Sequence, residues 1–419
     1  MNSRLPGKDH SRRSMPDRAA VKKLLYVRLD GIGDGVLAGE LLEKLPEVYP
    51  NAAITVACDT ATAPLYASAP AVKQTITLDK RRLELEPAYL QMAAKLLRAC
   101  RADIIFNSTI SPSASVCALL VTAGAPLVST GMDATNALPD ARDIFNGQVD
   151  EFIPLRPGIR MDIERTRDIL EYFGFQEVVV PPRFWLSPED ALAAAAKLES
   201  AGLKDQPFVA LFATGNVPYN TYGQWGKALA DVCAKRGLPV VILGGESKAG
   251  LTAAHAIQDY LAKRNVSCHT FCGELSLGVS AGIIQRSRLA AGADTGLAHI
   301  ACAFDVPLVV LVGGGTFGRF FPYSRICTAV CLPLECYSCN WSCRYERAHC
   351  IAGIAPETVR QALEYTLDQE KGKERRTLFM QRPTAWRPGP DMPAWRSPAE
   401  FISAYKSKEP NGLAVMLGR

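Results

Sequence analysis

Residues 22–34 read Lys-Lys-Leu-Leu-Tyr-Val-Arg-Leu-Asp-Gly-Ile-Gly-Asp, and the order of these types sets the fold class. Leu24-Leu25-Tyr26-Val27 is a short buried-strand run, a loop containing Gly31 and Gly33 follows it, and residues 35–45 carry a helical pattern. The same succession returns downstream. Strands are expected at 53–57, 75–78 and 103–106, and helices at 87–100 and 161–173. Residues 104–132 carry no charge, but Pro112, Gly124, Pro126 and Gly131 interrupt them. They read as strand, loop, helix and strand rather than as the roughly 20 apolar residues of a membrane span. Strands alternating with helices imply a parallel, doubly wound sheet.

Ser187-Pro188-Glu189-Asp190 starts the rhythm again, with a helix-capping Ser, Pro at the first helical position and acids in the first turn. Strands are expected at 208–212, 239–243, 288–291 and 308–312. Helices are expected at 223–236, ending near 263, and from 296. The expectation is an α/β chain of two Rossmann-like domains facing a cleft, at 22–186 and 187–370. A disordered basic segment, 1–21, precedes them, and a basic Pro-rich tail, 371–419, follows with a short helix starting at Ser397.

The 419 residues carry 48% hydrophobic and 21% charged side chains, values of a globular chain. The net charge of +5 is uneven: residues 1–23 and 371–419 together hold +11, leaving −6 on the body. A basic nucleic-acid-binding globule is a poor fit to that distribution. A protein with basic ends that touches an anionic surface is a better one. The first residues contain no apolar core of a secretory signal. The thirteen cysteines therefore point to a reducing, cytoplasmic setting and to metal or redox chemistry.

Four stretches carry chemistry. Asp34, at the tip of the Gly31/Gly33 loop, can accept a proton or cap the following helix. Gly292-Ala293-Asp294-Thr295-Gly296-Leu297-Ala298-His299 joins a strand to a helix. Its backbone N–H groups and the Thr295 hydroxyl suit a phosphate; the plainer reading is Asp294 as a cap and His299 packed. Gly313-Gly314-Gly315-Thr316-Phe317-Gly318-Arg319 follows another strand, and Arg319 can pair with a phosphate or a carboxylate. Cys336, Cys339, Cys343 and Cys350 can wrap one tetrahedral ion, structural zinc or iron, with free thiols and disulfides as the alternatives.

Together these stretches resemble glycosyltransferase family 9, the ADP-heptose:lipopolysaccharide heptosyltransferases. The resemblance rests on Val27-Arg28-Leu29-Asp30-Gly31-Ile32-Gly33-Asp34 and on Asp294-Thr295-Gly296-Leu297-Ala298-His299. It continues through Arg319-Phe320-Phe321-Pro322-Tyr323 and the Cys350 segment, over about residues 22–366. It implies the GT-B fold and inverting, metal-independent transfer from a nucleotide sugar, ADP-heptose, to a glycolipid or glycan such as lipopolysaccharide core. It also implies peripheral contact with the inner membrane and no nucleic-acid partner. By the resemblance Asp34 is the general base, Thr214, Glu246 and Leu275 contact the donor, and Thr295, Gly296 and His299 hold its diphosphate. The family often places a Lys near the helix after Thr214; residues 216–225 hold none, and Arg319 is the candidate replacement. The cysteine cluster is also similar to that of the iron-containing autotransporter heptosyltransferases. Protein glycosylation and a catalytically inactive, sugar-nucleotide-binding scaffold are the alternative functions.

Overall fold

The computed structural model describes residues 13–109, 112–131, 139–156, 162–213, 221–315, 317, 324–337, 339, 342–369, 375–382, 392–397 and 413–418. The chain divides into two compact units, residues 1–158 with 163–185, and residues 159–162 with 186–419.

The first unit is built on six parallel strands: β1 (Lys23–Arg28), β2 (Ala53–Asp59), β3 (Val72–Leu78), β4 (Ile104–Asn107), β5 (Leu127–Ser129) and β6 (Glu151–Phe152). Their order is β3-β2-β1-β4-β5-β6, the doubly wound arrangement that right-handed crossovers produce. Burial follows the sequence: Leu24 to Val27 and Ile104 to Phe106 are at most 1% exposed. The helix Pro87–Ala99 lays Ala93, Ala94 and Leu97 on the core beside Val27, Ile105 and Leu120.

The helix expected at 35–45 is instead two, Ile32–Leu37 and Gly39–Val48, broken at Ala38. A strand of coil crosses here: Arg183 N–H donates to Val36 O (2.9 Å), and a Cβ on Gly39 would run into Arg183 Cβ. Glycine at 39 permits that approach, and Arg183 Nε then pairs with Glu40 at 2.7 Å.

The second unit holds eight parallel strands: β7 (Val209–Phe212), β8 (Val240–Ile242), β9 (Cys268–Thr270), β10 (Leu289–Ala293), β11 (Leu308–Leu311), β12 (Ile326–Cys331), β13 (Arg375–Met380) and β14 (Leu413–Leu417). The order is β14-β13-β12-β11-β10-β7-β8-β9, so six of them, from β9 to β12, repeat the order of the first sheet. Two parallel α/β sheets of this order are the GT-B architecture.

Both ends of the chain depart from expectation. Residues 375–380 and 413–417 are strands of the second sheet rather than an extended tail. Arg375, Arg376 and Arg382 give the segment a basic composition, but Thr377, Leu378 and Met380 between them are fully buried. At the other end, residues 1–12 of the segment expected to be disordered lie outside the described residues, while residues 13–21 include a short 3-10 turn, Arg18–Ala20, and are mostly exposed. Arg13 pairs with the buried Asp150 at 3.1 Å, and the Arg18 guanidinium lies 4.7 Å from the Phe173 ring centre. The helix expected to start at Ser397 falls almost wholly outside the described residues.

Candidate active site

In an open parallel sheet, ligands bind beyond the carboxyl ends of the strands where the order reverses. The first sheet reverses between β1 and β4, the second between β7 and β10. The Asp34 and Asp294–His299 motifs leave the sheets at these two places.

Beyond β1, Gly31 caps the helix Ile32–Leu37 and Asp34 sits in its first turn. Asp34 Oδ2 accepts the Gly31 N–H at 3.0 Å, so this carboxylate does cap. Its other oxygen, Oδ1, takes no hydrogen bond among the described residues, and the side chain is half-buried. Both readings of Asp34 are compatible with this geometry, one for each oxygen. Arg28, 3% exposed, anchors the turn from beneath. Its Nε lies 3.1 Å from Asp30 Oδ2, and its Nη atoms donate to Asp34 O (2.9 Å) and to Ser108 O. Burial is the largest single influence and works against the Arg28 charge, but Asp30, Tyr26, Asp34 and Tyr66 together outweigh it and hold the pKa above its ordinary value.

A polar string at the end of β4 escapes the sequence reading. Thr109 Oγ1 accepts the Leu29 N–H (3.1 Å), Asn107 Oδ1 accepts the Thr109 N–H (3.2 Å), and Asn107 Nδ2 donates to Ser129 Oγ (3.0 Å). All are buried. The signal available was three consecutive polar residues, Asn107-Ser108-Thr109, directly after an apolar strand.

Beyond β10, Thr295 rather than Asp294 is the N-cap of the helix Gly296–Ala303, and its side chain makes no capping bond. Asp294 turns instead to His299, with Oδ1 3.2 Å from Nε2, both side chains almost fully buried. The Thr295 hydroxyl is buried without a hydrogen-bond partner among the described residues. Beside it are the N–H groups of Gly296 and Leu297, which the first helical turn cannot satisfy. A buried unpaired hydroxyl next to open N–H groups at the positive end of a helix is a site for an anion.

Two of the other residues expected to contact the donor follow neighbouring strand ends of the same sheet. Glu246 is exposed after β8, and Leu275 is half-buried after β9. The loops meet: Gly273 N–H donates to Gly244 O at 2.9 Å, and a Cβ on Gly273 would stand 3.0 Å from Glu246 Cβ. Thr214, after β7, and Arg319 lie outside the described residues.

The four clustered cysteines are free thiols lining one cavity of about 230 Å³ with Gly314, Ser342, Arg344, Tyr345 and His349. Gly314 N–H donates to Cys350 Sγ at 3.3 Å, and a Cβ on Gly314 would stand 3.2 Å from Tyr337 Cα. Glycine at 314 thus admits the thiol-bearing turn. Burial pushes the Cys350 thiol up to about 12, with the Gly314 N–H opposing it, so it stays protonated at neutral pH unless a cation stabilises the thiolate. Burial, and then the Arg347 charge, lower the His349 pKa, so a neutral imidazole also lines the cavity, which the cysteine spacing alone did not reveal. Among the described residues no three His, Cys, Asp or Glu side chains stand close enough to hold an ion. The thiols share a cavity and do not form a closed coordination shell.

Residues 91–349 match the model of glycosyltransferase family 9 (heptosyltransferase). The chain belongs to that family. The matched stretch includes Asp294 to His299 and three of the four clustered cysteines, whereas Asp34 and Cys350 lie outside it. Among curated proteins, this family 9 chain is 22% identical to lipopolysaccharide heptosyltransferase 3 of Escherichia coli over 296 residues, 70% of this chain and 84% of the relative. Among solved structures it resembles a family 9 glycosyltransferase from Veillonella parvula, with TM-score 0.68 and 20% identity, covering 84% of this chain and 98% of that one. It also resembles E. coli ADP-heptose lipopolysaccharide heptosyltransferase II, with TM-score 0.64 and 20% identity, covering 82% and 98%.

Proposed function

We propose that this family 9 chain is an inverting heptosyltransferase, moving heptose from ADP-heptose to a hydroxyl of a cell-envelope glycan such as the lipopolysaccharide core. The observation that carries the reading is the anion site beyond β10: the buried, unpartnered Thr295 hydroxyl beside the open start of the helix Gly296–Ala303. The names of the relatives, which specify ADP-heptose and lipopolysaccharide, supply the substrate class.

Transfer is one displacement. The acceptor oxygen attacks the anomeric carbon, the bond from that carbon to the β-phosphate oxygen breaks, and configuration inverts. The acceptor proton passes to Asp34, and ADP leaves with the bonding electrons. Thr295 and the Gly296 and Leu297 N–H groups meet the charge that grows on the diphosphate, with Arg319 as a further cation. Asp294 holds the His299 ring in place on the first turn of the same helix. Thr214, Glu246 and Leu275 are the proposed further contacts to the donor. This chemistry asks for no catalytic metal.

Thr295→Val keeps the shape and removes the hydroxyl. ADP affinity is expected to fall by about 1.5–3 kcal/mol, the usual effect of losing a hydrogen bond to a charged group, as read by calorimetry. Unchanged affinity would put the diphosphate elsewhere. The substrate class is tested by offering ADP-heptose, ADP-glucose and UDP-sugars to the purified protein. A ligand at about 100 times its Kd adds about 2.7 kcal/mol of stability. Stabilisation by the ADP compounds alone is expected, and stabilisation by none would remove the assignment.

Cys336, Cys339, Cys343 and Cys350 are proposed to hold one structural ion, zinc or iron. The thiolate set suits either, and the Gly314 N–H supports one sulfur from outside the shell. Binding has to draw the thiols together, so the ion would stabilise this part of the second unit. Changing any one of the four to Ser is expected to lower metal content and thermal stability, while Cys233→Ser leaves metal content intact. Elemental analysis of untagged protein checks this; a content near zero in the wild type would return the cluster to free thiols. No helix among the described residues is long and apolar enough to cross a membrane, and the proposed location is the cytoplasmic face of the inner membrane.

A further inference from the structure

The helix Pro87–Ala99 is apolar on two sides. Its inner side, Ala93, Ala94 and Leu97, is buried in the first core. Its outer stripe, at helical spacing, is Ala88, Gln91, Met92, Lys95, Leu96 and Ala99, all exposed and without a carboxylate. Met92 is 50% and Leu96 42% exposed, and Leu85, at the end of the preceding helix Lys80–Leu85, is 66% exposed. Of eight large hydrophobics exposed among the described residues, three fall within residues 85–96, and Met92 and Leu96 stand one turn apart on the same face of Pro87–Ala99.

Charge says what covers it. Residues 80–101 hold six Lys and Arg against two Glu, on a chain body, residues 24–370, whose net charge is −6. Arg82 pairs with Glu86 at 2.9 Å and stacks over Tyr89. Arg81, Lys95, Arg98 and Arg101 are exposed and form no ion pair among the described residues. Apolar side chains flanked by unpaired cations match a surface with anionic headgroups above an acyl layer. A second copy of this chain would bring the same cations against themselves.

We infer that the outer face of Pro87–Ala99, with Leu85, docks the first unit on an anionic lipid surface through Met92 and Leu96, ringed by Arg81, Lys95, Arg98 and Arg101. The inference rests on the proposed membrane-borne acceptor. It places the docking on the unit that carries Asp34.

The full chain is mixed with vesicles of phosphatidylcholine plus phosphatidylglycerol, or of phosphatidylcholine alone, and pelleted. Wild-type protein is expected to partition onto the anionic vesicles, to ignore the neutral ones and to be released by high salt. The double changes Lys95→Glu/Arg98→Glu and Met92→Gln/Leu96→Gln are each expected to lower partition by at least about 10-fold. All these side chains are exposed, so both variants should melt like the wild type and keep the same stabilisation by ADP, which tests the donor site separately. Variants that bind vesicles as well as the wild type, or a wild type that binds neither kind, would overturn the inference. So would variants that lose only a dimer in sedimentation, because the patch would then be an interface between copies.

Discussion

Asp34→Asn is expected to lower the rate of sugar transfer by about 10²–10⁴ while leaving ADP affinity unchanged. The change is nearly isosteric and removes proton acceptance. It keeps an amide oxygen for the Gly31 N–H, which Asp34 Oδ2 accepts at 3.0 Å. The helix start should therefore survive, so that a rate loss reports chemistry. Asp34→Ala removes the cap as well and should add a stability loss of about 1 kcal/mol. Comparing the two variants separates the two roles of this side chain. Initial rates at saturating donor are the measurement. An Asn variant as fast as the wild type would leave Asp34 as a helix cap only.

Arg28→Met is expected to destabilise the first unit by about 3–5 kcal/mol, the range for removing one partner of a buried ion pair. Methionine replaces most of the volume and none of the donors. Asp30 loses the guanidinium 3.1 Å away, and the Asp34 and Ser108 carbonyls lose the Nη hydrogen bonds. These contacts tie the end of β1, the end of β4 and the first turn of Ile32–Leu37 into one piece. Arg28→Lys keeps a charge but not the planar fork, and should fall between the two. Urea unfolding followed by circular dichroism reads the effect; a loss under 1 kcal/mol would show that the turn does not depend on Arg28.

Strands β1 to β5 and β7, β8, β10 and β11 were legible because most of them are short apolar runs, whereas β6, β9, β12, β13 and β14 were not read. Leu24 to Val27 and Leu308 to Leu311 are fully buried and read that way from composition alone. What was not legible depends on residues far apart in sequence. The break at Ala38 comes from Arg183 crossing Gly39, and no local pattern announces it. Strand β13 hides a buried Leu378-Phe379-Met380 run among arginines. Because period-two burial is absent from a strand covered on both faces, the basic flanks dominated its appearance.

The site divides in the same way. Asp294 to His299 announced a strand-to-helix junction, and the junction is there, but the plainer alternative, Asp294 as the cap, is not the one that forms. Asp294 is an equally good cap by type, and it is withdrawn from that role by His299 five residues on, in the first turn of the helix. The four cysteines were legible as a cluster from spacing. That Gly314, at the end of another strand, donates to Cys350 needed the fold. The Arg28–Asp30 pair went unread because a charged pair two residues apart looks solvated until the strand carrying it is known to be central.

The most direct test of the transferase assignment follows free ADP and acceptor mass together when the full chain is given ADP-heptose and a heptose-deficient lipopolysaccharide core. One ADP released for each heptose gained by the acceptor, with both lost in Asp34→Asn, is the predicted result. ADP-heptose that binds and stabilises the protein, yet yields neither ADP nor a heavier acceptor, would contradict it and leave a sugar-nucleotide-binding protein in its place.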